Sequence, residues 1–152
     1  MEYNIGDDLC RASLYFNLPK KHSYIEGGVY KFGEETKNDI LWGVGRSVKE
    51  LGDFTHKNNK ALLYSCRDKV SDMPFVPCPS VFSVLADIPI GKKQALILGG
   101  SDTIGRTVSN FPNVAMNKKD YITAFTSTAK IVTNSYHTAN WALLSGRAVK
   151  VV

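Results

Sequence analysis

Apolar residues in this chain fall into short unbroken runs between polar stretches, and the clearest pattern lies toward the C-terminus. Ile131-Val132 leads into a polar elbow, Thr133-Asn134-Ser135-Tyr136-His137. An apolar stretch follows (Ala139, Trp141, Ala142, Leu143, Leu144), Gly146 stops it, and Ala148 to Val152 is apolar again. The pattern predicts strand, helix, strand, with His137 in the first helical turn. Upstream, Gln94 to Leu98 predicts a strand ending in Gly99-Gly100, and Val114 to Met116 a brief one. A helix capped by Asn117 or Asp120 is expected to reach about Ala129. Strands that do not alternate, set between helices, predict an α/β fold with a Rossmann-like parallel sheet covered on both faces.

The N-terminal half is less regular. Asp7 to Leu18 predicts a helix, with Leu9, Ala12, Tyr15 and Phe16 at helical spacing and Pro19 ending it. Residues 20 to 38 give no clear pattern. Ile40 to Val44 and Ala61 to Cys66 read as buried strands, Phe75 to Pro79 as extended chain, and Ser80 to Ala86 as a short helix. Pro89-Ile-Gly-Lys-Lys93 combines Pro, Gly and charge and marks a boundary, giving two incomplete α/β lobes, 1–88 and 89–152. The chain begins almost on a motif, with no strand before it, and ends inside an apolar strand. This reads as a shortened or fragmentary form whose exposed last strand could pair with another chain or a second copy.

Composition narrows the class. The chain has 152 residues, 43% of them hydrophobic and 22% charged, as in globular proteins. No run approaches the roughly 18 apolar residues of a membrane span, and the polar, acidic N-terminus is unlike a leader peptide, so a cytoplasmic protein is expected. The net charge of +5 suits an anionic small molecule, but the bases form scattered pairs, and nucleic acid is not an expected partner. Cys10, Cys66 and Cys78 contain no CxxC pair, so reduced buried thiols are expected and neither zinc nor any other metal is.

Four segments could carry chemistry. His137 at a helix start lies where free N–H groups and the helix dipole attract an anion, with Asn134, Ser135 and Thr138 converging beside it. Asn4-Ile-Gly6-Asp7 offers a close backbone approach and a carboxylate. Arg67-Asp68 directly follows a strand, where a guanidinium can meet an anion. Gly100-Ser-Asp-Thr-Ile-Gly-Arg-Thr107 is a near miss to a P-loop, with Arg106 in place of the lysine and Asp102 in the phosphate cradle, which argues against a nucleotide triphosphatase.

Taken in order, Asn4-Ile-Gly-Asp7, Ile40-Leu-Trp-Gly-Val-Gly45, Tyr64-Ser-Cys-Arg-Asp68, Val76-Pro-Cys-Pro-Ser80 and, above all, Thr133-Asn-Ser-Tyr-His137 resemble the polysaccharide pyruvyl transferase family. The resemblance implies a two-lobed, glycosyltransferase-B-like architecture, here in reduced form. It also implies transfer of the pyruvyl group of phosphoenolpyruvate to a sugar of a glycan as a ketal, as in exopolysaccharide biosynthesis. His137 would be the general acid or base and Asp7 would position the sugar. Asn134, Ser135, Tyr136, Thr138, Arg67, Asn4 and Gly6 would bind the donor, with Arg147 as a further cation. Phosphoenolpyruvate would be a substrate, and no cofactor is implied. Tyr136 stands where many members have Arg, and Thr138 where Gly is common. The alternatives are a sugar-nucleotide glycosyltransferase of the same fold and a non-catalytic binding or structural protein on a decayed transferase fold.

Overall fold

The computed structural model describes residues 4–30, 38–46, 61–68, 74–98 and 117–152. The P-loop-like segment and the expected strand at Val114 to Met116 lie outside them. The chain forms two compact units, residues 10–80 and residues 81–152 together with 1–9. This differs from a single cut at 88/89, because the N-terminal turn joins the C-terminal unit, where Ile5 and Leu9 are buried in the apolar core. No helix among the described residues is long and apolar enough to cross a membrane.

The unit of residues 1–9 and 81–152 is α/β. Helix α1 (Ile5–Leu9) opens it, a 3-10 turn over Pro79–Phe82 spans the boundary at Ser80/Val81, a second covers Val84–Ala86, and strand β5 (Lys93–Ile97) follows. After it come α2 (Lys118–Thr126), β6 (Thr128–Thr133), α3 (Tyr136–Leu144) and β7 (Ala148–Val151). The strands form a parallel sheet in the order β5-β6-β7. Trp141, Tyr121, Phe125, Leu85, Leu98 and Ile131 fill its core with Ile5 and Leu9.

Local chemistry sets the helix ends. Asn117 caps α2 by accepting from the Asp120 N–H at 2.9 Å. The helix stops at Thr126 rather than near Ala129, because Thr128 is already paired with Lys93 of β5. The hydroxyls of Thr126, Ser127 and Thr128 donate to the last helical carbonyls, of Ile122, Ala124 and Phe125. Gly146, at φ +76°, ends α3 in a Schellman motif: its N–H donates to Leu143 O, and the Arg147 N–H to Ala142 O.

The unit of residues 10–80 holds a second, smaller parallel sheet. Its strands are β1 (Tyr24–Glu26), β2 (Val29–Tyr30), β3 (Ile40–Arg46) and β4 (Leu63–Cys66). β1 and β2 pair with β3 in one continuous register, Glu26 beside Trp42 and Val29 beside Gly45, so they are one strand interrupted at Gly27-Gly28. That register sets Gly27 opposite Gly43, and both are left-handed, at φ +59° and +54°. On the β4 side, Leu41 pairs with Tyr64 but Val44 with Cys66, so β3 carries one extra residue and bulges at Gly43. The Ser65 hydroxyl covers the irregularity, accepting from the Gly43 N–H and donating to Leu41 O. Leu41, Val44 and Cys66 make the small core.

The expected helix over Asp7 to Leu18 is not continuous. α1 ends at Leu9, Arg11 is extended, and a 3-10 turn covers Ala12–Leu14. The chain changes units at this point. Ile5 and Leu9 are buried in one core, whereas Cys10 and Ala12 belong to the other unit, so helical spacing across 7–18 spans two separate packing environments.

Candidate functional site

The elbow before α3 is built from side-chain caps. Thr133 Oγ1 accepts from the Ser135 N–H at 3.0 Å, and Ser135 Oγ accepts from the Thr138 N–H at 3.4 Å. This fixes His137 in the first turn of α3, 9% exposed. Its ring stacks on Trp141 at 5.7 Å and 27° and meets Tyr136 edge-on at 5.4 Å. Gly6 lies against it, and a Cβ there would stand 2.6 Å from His137 Nδ1. The Gly6 N–H donates to Asn4 Oδ1 at 2.9 Å. Two motifs from opposite ends of the chain, Asn4-Ile-Gly6 and Ser135-Tyr136-His137, therefore meet.

Beside them, at the carboxyl ends of β6 and β7, is a cleft of about 410 Å³ lined by Asn134, Ser135, Tyr136, Ala139, Asn140, Leu143 and Val151. Ligands of open parallel sheets bind at that end of the strands. Tyr136 is half-exposed, and the buried Asn140 Nδ2 has no hydrogen-bond partner among the described residues. An amide donor in that position gains from an acceptor oxygen. Asn140 was not singled out from the sequence, although it lies one helical turn after Tyr136 and so on the same face.

Other expected site residues stand elsewhere. Asp7 follows Gly6 on α1 with an exposed side chain. Thr138 is fully buried, its hydroxyl 2.6 Å from Tyr121 Oη, so it anchors α3 to α2 and does not line the cleft. Burial pushes the Tyr121 phenol pKa up, only partly offset by Thr138, so this bond joins two neutral hydroxyls. Arg147 is 3% exposed and donates to Thr128 O, Ile88 O and Pro89 O, with its guanidinium 4.5 Å over the Phe125 ring. Thr128 begins β6 and the His137 elbow follows its end, so Arg147 locks the opposite end of the strand and is no donor cation.

Arg67 belongs to the other unit, where it is 8% exposed. Its Nη1 donates to Gly27 O, and a Cβ at Gly45 would fall on its guanidinium. It thus braces the interrupted strand against β3. Close by in the fold of this unit, Cys10 Sγ and Cys78 Sγ lie 3.2 Å apart, and Cys78 Sγ is 3.2 Å from Ser80 Oγ. A Cβ on Gly27 would strike both sulfurs. The sequence carries no sign of this pair, because the cysteines are 68 positions apart and no local spacing links them.

The chain matches no protein-family model, no curated protein and no solved structure.

Proposed function

We propose that the protein is a pyruvyl-transferase-like enzyme on a reduced glycosyltransferase-B-like scaffold, moving the pyruvyl group of phosphoenolpyruvate onto a sugar of a glycan in the cytoplasm. The observation that carries this reading is the packing of Gly6 against His137, which unites the most specific segment of the family resemblance with one of the segments that support it. Supporting it, the cleft at the carboxyl ends of β6 and β7 offers the Asn134, Ser135 and Asn140 side chains. The positive end of the α3 dipole lies at its first turn, which suits a carboxylate or a phosphate.

The chemistry then runs as follows. A proton adds to the methylene carbon of phosphoenolpyruvate, leaving an oxocarbenium-like centre at the carbon that bears the phosphate oxygen. A sugar hydroxyl attacks that centre and loses its proton, phosphate departs, and a second hydroxyl closes the ketal. In this reading His137, whose ring packs on Trp141 and Gly6 beside the cleft and is not among its lining residues, holds and returns the proton. In this reading Asp7, exposed one residue beyond Gly6, orients the sugar.

A second reading, a ligand-binding protein without catalysis, draws on the burial of His137 and on the bond that ties Thr138 into the core. The thermal midpoint of the chain with phosphoenolpyruvate, against inorganic phosphate and sugar nucleotides, separates the readings. A ligand at about 100 times its Kd stabilises by about 2.7 kcal/mol. The proposal expects a rise specific to phosphoenolpyruvate, and His137→Gln should abolish turnover in a folded protein. No rise with phosphoenolpyruvate contradicts it, and a rise only with sugar nucleotides replaces it with a glycosyltransferase.

A further inference from the structure

Within residues 10–80, Cys10 and Cys78 are brought together from the two ends of the unit. Their sulfurs are 3.2 Å apart, closer than the about 3.5–4.0 Å at which even the smaller carbon atoms pack. Cys78 donates its one thiol hydrogen to Ser80 Oγ, so Cys10 is the donor to Cys78 Sγ. The space for two sulfurs exists because the residue beneath them is glycine: a Cβ at Gly27 would strike both, and at φ +59° this position favours glycine. Both cysteines are buried, 1% and 0% exposed. The third cysteine, Cys66, is built into the Leu41–Val44 core.

We propose that Cys10 and Cys78 form a reversible intramolecular disulfide under a small two-electron oxidant of the peroxide class, and that this bond closes residues 10–80 into a covalent loop. The thiolate of one cysteine attacks a peroxide oxygen, the O–O bond breaks, and one water leaves, giving a sulfenic acid. The second sulfur attacks the first, the S–OH bond breaks, a second water leaves, and the S–S bond forms. Two thiols are oxidised by two electrons and one peroxide is reduced to two waters. The sulfurs have to close from 3.2 Å to a bond length of about 2.0 Å. Burial favours hydrogen peroxide over bulkier disulfide oxidants. The link ties positions 68 apart, so its main effect falls on the unfolded chain, whose freedom it removes.

The test is peptide mapping of the full chain after treatment with hydrogen peroxide, followed by alkylation in denaturant. The proposal expects a product two hydrogens lighter, a single Cys10–Cys78 cross-link, Cys66 still alkylated, and full reversal by dithiothreitol. The unfolding midpoint of this unit, followed through Trp42, should rise by about 10 °C in the oxidised form. Cys66→Ser should keep the link, which leaves the test open if Cys10→Ser or Cys78→Ser fails to fold. Unlinked Cys10 and Cys78 after complete treatment, a link through Cys66, or a link only between chains would overturn it.

Discussion

The two units cover small parallel sheets by different means. In residues 81–152 with 1–9, large side chains fill the core: Trp141 stacks on His137 and meets Tyr121 edge-on, and Phe125 carries the Arg147 guanidinium. In residues 10–80 the core is Leu41, Val44 and Cys66, and backbone and sulfur do the rest. Two left-handed glycines in register let Pro77, Cys78 and Cys10 approach the strands, closer than any Cβ would permit. The first unit should therefore fail on large deletions in its core, and its own close approaches need glycine only at single points, Gly6 against His137 and Gly91 against the Ser127 carbonyl. The second should fail on the addition of a single methyl group. Each unit holds one of the two tryptophans, Trp141 in the first and Trp42, stacked on Phe16 at 5.5 Å, in the second, so single-tryptophan variants report them separately.

The largest effect is expected for Trp141→Ala. It empties the side-chain core and frees the His137 ring, at a cost of about 3–5 kcal/mol in denaturant unfolding. Trp42 fluorescence should show the second unit unfolding at its usual midpoint, and a matching fall there would erase the contrast. Gly27→Ala makes the converse cut. Left-handed strain and collision with two sulfurs together should cost roughly 2–4 kcal/mol, seen through Trp42. Thr138→Val leaves the buried Tyr121 hydroxyl without its partner and should cost about 1–3 kcal/mol, while leaving phosphoenolpyruvate binding in place. If that variant lost binding at unchanged stability, Thr138 would be a ligand contact after all.

The smallest effect is a pH dependence. Burial raises the Glu26 pKa above its ordinary 4.5; the Ala12 backbone and Arg11 partly offset this, and Cys78 adds to it. The folded unit thus holds this proton longer than the unfolded chain. Its contribution is complete below 4.5 and is lost as pH rises through the folded value. Glu26→Gln should flatten that slope between acid and neutral pH in Trp42-monitored melts. Asp39, whose carboxyl is lowered chiefly by the Ser23 N–H, has the opposite sign and loses its contribution as pH falls below 3.8.

The same contrast explains what could be read from the sequence. The run from Asn117 to Val151 was legible in outline because caps, helical spacing and a stop glycine are local signals: Asn117, one of the two cap candidates, caps α2 and Gly146 ends α3, although α2 stops at Thr126. Strands β3 and β4 were legible as apolar runs. Strands β1 and β2 were not, because Gly27-Gly28 breaks them into pieces too short to show a period. The helix over Asp7 to Leu18 failed because spacing cannot show that consecutive residues serve different cores. At the site, His137 and Gly6 were each visible as residues, but their contact, the burial of Thr138 and the structural use of Arg147 depend on long-range packing.

The central claim is that a donor site forms where the Asn4-Ile-Gly6 turn meets the start of α3. Amide hydrogen exchange of the full chain with and without phosphoenolpyruvate tests it most directly. The account predicts slowed exchange in residues 5–9 and 134–141, with residues 24–46 unchanged and with the effect absent in His137→Gln. Slowed exchange confined to residues 24–46, or none at saturating phosphoenolpyruvate, would contradict it.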